Sequence, residues 1–493
     1  MKSTLIRLGS ALFAISCLLH TPSPVSAQQA NDEPQSGSLT ERVICKATPT
    51  QTYALYVPSG YTPTRKWPLV AAFDPAARGK APVERFKEAA ERHGYIVCGS
   101  NNSRNGPIQP SAEAAKAMLA DVAARFSIDS KQVYMAGFSG GARAATTIAV
   151  WLSGQIAGVV GCGAGLAVGL EPKSSLPFIF YGTVGTEDFN YPELKQLDRA
   201  LQSAGVVHRV EVFEGGHDWA PSDVCMRAIE WLELQAIKSG RRARDDEFIN
   251  RAFNSAQTRA ADLESSGHIY EAFLAYAAVA SDFSGLKDVA EAQKKSEALK
   301  DSKAVKQTVN RDREQESEQS RRVNELFGLR AKLMSAAGGA PNASEQGSYG
   351  VGGADTASRQ LFFSDLRSKL SDLKSKSEAK EASSERALAR RIFNQYTIAE
   401  FENSMSLIQA KKYDLAAANL SVDSDLMPDN PRLFYYLACA YSLKGDKRRA
   451  VDALNKAVQK GFSNVAELEH NDQLDGIRGE DGFKKILESL RNR

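Results

Sequence analysis

The chain has 493 residues, 43% of them hydrophobic and 25% charged, with a formal net charge of +3. This length predicts roughly two to four domains with ample core, and the balance of apolar and charged residues is that of a globular protein. The small net charge argues neither way about nucleic acid, and no basic patch carries interleaved aromatic residues, so nucleic-acid binding is not expected.

The first segment reads as an export signal. Lys2 and Arg7 precede an apolar stretch from Leu8 to Leu19, and Val25-Ser26-Ala27 fits a small-residue cleavage site. The expected signal peptide is 1–27, with a periplasmic or secreted product. The apolar stretch is too short to span a bilayer and no other segment qualifies, so no stable transmembrane segment is expected. Cys17 leaves with the signal. Cys45, Cys98, Cys162, Cys225 and Cys439 remain, an odd number without C-x-x-C spacing. They read as buried small thiols, with one bridge in the first domain as the alternative, and no metal site is expected.

Residues 40–240 alternate short apolar runs with helical patterns. Strands are expected at Arg42 to Ala47, Thr52 to Val57, Pro68 to Phe73, Tyr95 to Cys98, Gln132 to Ala136, Ile156 to Gly161, Phe178 to Tyr181 and Arg209 to Phe213. Helices are expected at Pro82 to Arg92, Ser111 to Phe126, Ala142 to Ala149, Tyr191 to Ser203 and Ser222 to Gln235. This alternation predicts a mostly parallel sheet with helices on both faces, whose ligands bind beyond the carboxyl ends of the strands. No insertion between strands is long enough for a lid, which predicts an open pocket.

From about residue 245 only helical patterns remain. Residues 245–335 should hold one hairpin and, over Lys287 to Arg330, a long solvated charged helix. Residues 336–357 read as a flexible linker, and 358–493 as helical repeats. Leu407, Ala416 and Leu420 recur 34 residues later as Tyr441, Ala450 and Leu454. A weaker copy runs through Leu263, Gly267, Ala272 and Tyr276. The period and the small residue at the helix crossing resemble tetratricopeptide repeats. The resemblance implies a protein partner and one continuous or capped array.

The chemistry concentrates at Gly137-Phe138-Ser139-Gly140-Gly141. A G-x-S-x-G between a strand and a helix is the pattern of a nucleophile elbow. The turn is strained, and residues two before and two after the serine approach too closely for side chains. A serine hydroxyl needs a neighbouring base. Of six histidines, His217 alone follows the last strand in a loop that can return to the elbow. In the chain order serine, acid, histidine, the third member should follow the strand Phe178 to Tyr181. Asp188 is expected there, with Glu187 beside it as the alternative. Gly140 and Ala76 are the expected oxyanion-hole N–H donors, because Pro75 has no N–H. Asn101, Asn102 and Trp219 are expected to line the pocket, and Arg78 to be a solvated loop residue, with a role facing an anionic substrate group as the alternative.

Residues 50 to 235, under half of the chain, resemble the α/β-hydrolases of the polyhydroxybutyrate depolymerase and feruloyl esterase group. The resemblance rests on Tyr56-Val57-Pro58, Pro68-Leu69, Gly137 to Ala142 (one residue shorter than the family's glycine pattern) and Gly215 to His217. It implies carboxylic ester hydrolysis through an acyl-serine, with no cofactor. The chain departs from the family at Asp74-Pro75, where His-Gly is usual. Two further readings stay open: a serine peptidase, because the elbow does not separate amide from ester, and an inactive hydrolase-fold scaffold.

Overall fold

The computed structural model describes residues 34–336 and 356–492. The expected signal, and residues 337–355 of the linker expected at 336–357, lie outside the described residues.

The first part runs β1 (Leu39–Ile44), β2 (Thr52–Tyr56), β3 (Trp67–Phe73), α1 (Lys80–His93), β4 (Ile96–Ser100), α2 (Ile108–Arg125), β5 (Ile128–Phe138), α3 (Gly140–Trp151), β6 (Gly158–Cys162), β7 (Ile179–Gly185), α4 (Tyr191–Ser203), β8 (His208–Phe213) and α5 (Ser222–Lys238). The strands form one sheet in the order β1-β2-β4-β3-β5-β6-β7-β8. The two pairings of β2 are antiparallel and the rest are parallel. Strands β3 and β6, and β5 from Val133 onward, are apolar because both faces are covered. On β3, Leu69, Ala71 and Phe73 pack with Met118 of α2, Ile148 of α3 and Leu194 of α4. Val70 and Ala72, pointing the other way, pack with Phe86 of α1 and Leu232 of α5. Each expected strand and helix of this part is present, with ends shifted by a few residues. All five described cysteines are free and buried, and burial pushes the Cys45 and Cys162 thiols up to about 11.

The remainder is helical: α6 (Asp246–Ser265), α7 (Ile269–Asp282), α8 (Ala290–Lys300), α9 (Lys303–Ala336), α10 (Thr356–Ser377), α11 (Ser384–Gln409), α12 (Tyr413–Leu426), α13 (Pro431–Lys444), α14 (Lys447–Gln459), α15 (Val465–His470) and α16 (Asp481–Arg491). Two expectations are corrected here. The long solvated helix is two helices, broken at Asp301-Ser302, and α9 is not solvated all round. It buries Val323, Leu326 and Leu333 together with Glu316, Gln319 and Arg330. Its charges are answered across packed neighbours, Glu316 by Arg199 at 2.6 Å and Arg330 by Asp423 at 3.0 Å, so a charge-rich sequence makes an interface.

The helices also do not share one core. Helices α6–α8 close on the end of α5 through Leu234 and Ile237. A second cluster joins α9, α10 and α11, and a third runs from the end of α11 to α16. Ala272, Ala416 and Ala450, equivalent in the period, are all fully buried. Among the described residues no helix is long and apolar enough to cross a membrane.

Candidate active site

Strand β5 delivers the chain into a sharp turn at Ser139 (φ 53°, ψ −121°), and α3 begins at the next residue. This backbone is costly for a residue with a side chain and persists only where its surroundings impose it. Three features do so. The Ser139 N–H donates to the Cys162 carbonyl at 2.8 Å. A Cβ on Gly137 would lie 2.2 Å from the Gly141 carbonyl oxygen, and one on Gly141 would lie 2.0 Å from the Phe73 carbonyl oxygen. The two glycines are thus required by close backbone approach. Gly140 and Gly141, in the first turn of α3, have no intrahelical acceptor for their N–H groups, and the positive end of the helix dipole lies beside Ser139.

Two loops at the carboxyl edge meet the serine. His217, after β8, places Nε2 2.9 Å from Ser139 Oγ and Nδ1 2.9 Å from Asp188 Oδ1. A carboxylate only accepts, so Nδ1 carries the proton and donates it to Asp188, while Nε2 is free to accept from the serine hydroxyl. Asp188, after β7, is fully buried, and its Oδ1 also accepts the Asn190 N–H at 2.8 Å. The His217 ring lies between Phe138 and Phe189, with centroids 4.6 and 4.2 Å away. Ser139, His217 and Asp188 therefore form one hydrogen-bonded line, held sterically as well as electrostatically.

Glu187 is not in that line. Its carboxylate accepts from Arg386 of α11, Nη2 to Oε1 at 2.7 Å, and from Arg390 Nη1. Other expected site residues are placed differently. The Ala76 N–H donates to Asp74 Oδ1 at 2.8 Å and is already engaged. The Asp74 side chain is buried and gathers the loop inward, accepting also from Arg78 Nε and Nη2, each at 2.9 Å, and from Trp219 Nε1 at 2.8 Å. Arg78 is therefore paired, although half-exposed, and Trp219, only 2% exposed, is packing behind the elbow. Asn101 Oδ1 accepts from Gly79 N and its Nδ2 donates to the Glu41 carbonyl. Asn102 bridges Thr50 and Thr52. Both amides brace the β1–β2 edge. The residue of that loop that reaches the elbow is Asn105, whose Oδ1 occupies the space a Cβ on Gly140 would need.

The expected open rim is corrected as well. Helix α11 meets the acid loop at Arg386, Arg390 and Arg391, and meets Asn105 through Glu402 at 3.4 Å. Those contacts lie sixteen residues apart, about 24 Å along the helix. The cover comes from far along the chain and not from an insertion between strands. Sequence reasoning also missed Phe189 and Gly163. Gly163 (φ 61°) follows β6, and a Cβ there would lie 3.0 Å from Asp188 Oδ2 and 3.2 Å from His217 Cε1. Among the described residues no group of His, Cys, Asp and Glu is arranged to hold a metal ion.

The mostly parallel sheet, covered on both faces and carrying the serine on a strand-to-helix elbow, has the architecture of the α/β hydrolases. The chain matches no protein-family model and no curated protein. Among solved structures it is similar to an S-formylglutathione hydrolase from Staphylococcus aureus, at 16% identity and a TM-score of 0.32 over 40% of this chain and 98% of that one. It is similar to the feruloyl esterase module from Clostridium thermocellum, at 15% identity and 0.32 over 40% and 87%. It is also similar to an esterase from Pyrobaculum calidifontis, at 13% identity and 0.33 over 41% and 87%.

Proposed function

We propose that the chain is a serine hydrolase acting on carboxylic esters through an acyl-serine intermediate. The observation that carries this reading is the line from Ser139 Oγ through His217 to Asp188, with the serine on a strained elbow. Ser139 Oγ attacks the ester carbonyl carbon as its proton passes to His217 Nε2. The tetrahedral oxyanion faces the Gly140 N–H and the N-terminus of α3. Collapse expels the alcohol, which takes the proton from His217. Water then attacks the acyl group, losing its proton to His217, and Ser139 is restored as the acid leaves. Asp188 fixes the imidazole tautomer and stabilises its cation. Export to the periplasm or medium, and a protein partner for the repeat-like helices, belong to the same proposal and rest on the sequence patterns alone.

The test is Ser139→Ala against a short p-nitrophenyl ester, with fluorophosphonate labelling of the unaltered chain. Loss of hydrolysis with the fold intact, and labelling at Ser139, support the reading. Full activity in the variant refutes it. One observation favours a second reading, an inactive scaffold: the Ala76 N–H, expected to help bind the oxyanion, is committed to Asp74. Folded protein that fails to label would favour the scaffold.

A further inference from the structure

The acid loop is gripped on both sides. On its sheet side the Thr186 N–H donates to the Phe213 carbonyl at 2.9 Å and the Glu187 N–H to the Gly215 carbonyl at 2.8 Å, tying it to the loop that carries His217. On its other side Thr186, Glu187 and Phe189 are held by the helical part. The Thr186 carbonyl accepts from Arg391 Nη1 at 3.4 Å. The Glu187 side chain, a tenth exposed, accepts Arg386 Nε at 2.9 Å and Nη2 at 2.7 Å, and Arg390 Nη1. The Phe189 carbonyl accepts Gln319 Nε2 of α9 at 2.8 Å, and Gln319 is itself bonded to Gln395 of α11 at 2.8 Å. The Phe189 ring lies on His217. Among the described residues no hydrogen bond joins Asp188 to α9 or α11, yet its neighbours on both sides are bonded to them.

We propose that Arg386 and Arg390 are positioning residues for the hydrolase site, acting through Glu187 to hold Asp188 in line with His217. The inference rests on the serine-hydrolase reading and extends it: the helical part completes the site as well as following it in sequence. The chemistry favours this role. Two guanidinium groups on one nearly buried carboxylate fix it by directional, charge-assisted bonds. A carboxylate so fixed sets the backbone of the next residue, and catalytic geometry tolerates displacements of only about 0.5 Å. Helix α11 carries both arginines one turn apart, so both reach the same partner.

The experiment uses the full chain with Arg386→Ala and Arg390→Ala combined, Glu187→Gln alone, and the conservative pair Arg386→Lys with Arg390→Lys. Three quantities are read: kcat and KM on a p-nitrophenyl ester, the low-field proton resonance of the His217 Nδ1–H, and the circular dichroism of the folded protein. The expected result is a kcat lowered about ten- to a hundred-fold with KM changed little, well short of the roughly 10⁴-fold lost when a triad acid can no longer fix the tautomer. The Nδ1 resonance should broaden or vanish, and the lysine pair should recover part of both. If the arginine-to-alanine pair does not fold, Glu187→Gln, which keeps the shape and removes the charge, decides by the same measurements. A folded variant with unaltered kcat and an unaltered Nδ1 resonance overturns the proposal. The resonance needs no turnover, and fluorophosphonate labelling of the unaltered chain tests the hydrolase reading by itself, so the two failures are distinguishable.

Discussion

Gly163→Ala tests whether the hydrogen-bonded line depends on packing beside it. Gly163 sits at φ 61°, where an alanine costs about 1–2 kcal/mol. Its new methyl would lie 3.0 Å from Asp188 Oδ2, 3.0 Å from Phe138 Cε2 and 3.2 Å from His217 Cε1. Relaxed contacts between such atoms need about 3.5–4.0 Å, so the neighbours must retreat by roughly half an ångström. None retreats freely. Gly163 is itself pinned, its N–H donating to the Thr183 carbonyl and its carbonyl accepting from Asn190 Nδ2 at 2.7 Å. Asp188 is wholly buried. A misplacement of about 1 Å can cost on the order of a hundred-fold, so half of that predicts roughly ten-fold in kcat, with little change in KM. Gly205→Ala is the control. It shares a positive φ of 68° but has nothing within 4 Å of its Cβ, so it carries the backbone cost alone. Both variants should unfold a few degrees lower, and only Gly163→Ala should slow ester turnover and fluorophosphonate labelling. Equal turnover in the two variants would refute the argument that Gly163 holds the line in place.

Three more perturbations address other parts of the molecule. Asp74→Ala strands the buried Trp219 indole N–H, frees the Ala76 N–H and unpairs Arg78 and should cost about 3 kcal/mol in a urea titration; a loss under 1 kcal/mol would show that the carboxylate is not what gathers the loop. Gly137→Ala drives a methyl to 2.2 Å from the Gly141 carbonyl oxygen, between two backbones that cannot both yield; soluble, fully labelled variant protein would contradict the elbow geometry. Asp423 faces Arg330 of α9 and Glu400 of α11, and burial outweighs the arginine to push its carboxyl up to about 7 from 3.8. The folded state therefore holds its proton more tightly than the unfolded chain, so the stability that Asp423 contributes is fully present below about pH 4, is lost as pH rises towards 7 and is level above it, by at most about 4 kcal/mol. Asp423→Asn should flatten that fall in thermal unfolding between pH 5 and 7.5, and an unchanged slope would exclude Asp423 as its source.

The limits of reading this chain follow from the range of each interaction. Strands β3 and β6 and the second half of β5 are legible because covering both faces leaves continuous apolar runs, and the elbow because its glycines answer to backbone crowding two residues either side of Ser139. His217 and Asp188 are legible because a parallel sheet delivers the loops after β7 and β8 to the same edge. Interactions without a local pattern were not. The commitment of the Ala76 N–H follows from Asp74, but that carboxylate turns inward because Trp219, 145 residues away, offers an indole N–H. Asn101, Asn102 and Asn105 share one loop and one chemistry. Only the register against Thr50, Thr52 and Gly140 assigns the first two to the sheet edge and the third to the elbow.

Helix α11 is the extreme case. Arg386 and Arg390 lie 199 and 203 residues from Glu187, on a helix whose charges resemble a solvated face. Glu187 stood as the alternative to Asp188 because the two are adjacent, identically charged and at the right place in the chain order. They differ in what answers them. A carboxylate facing two guanidinium groups is a structural anchor, and one facing an imidazole nitrogen can steady a proton transfer. The helical part thus supplies the physical difference between the two acids: it takes up Glu187 and leaves Asp188 to His217. The function of the loop is defined jointly by the sheet that carries it and the helices that close over it.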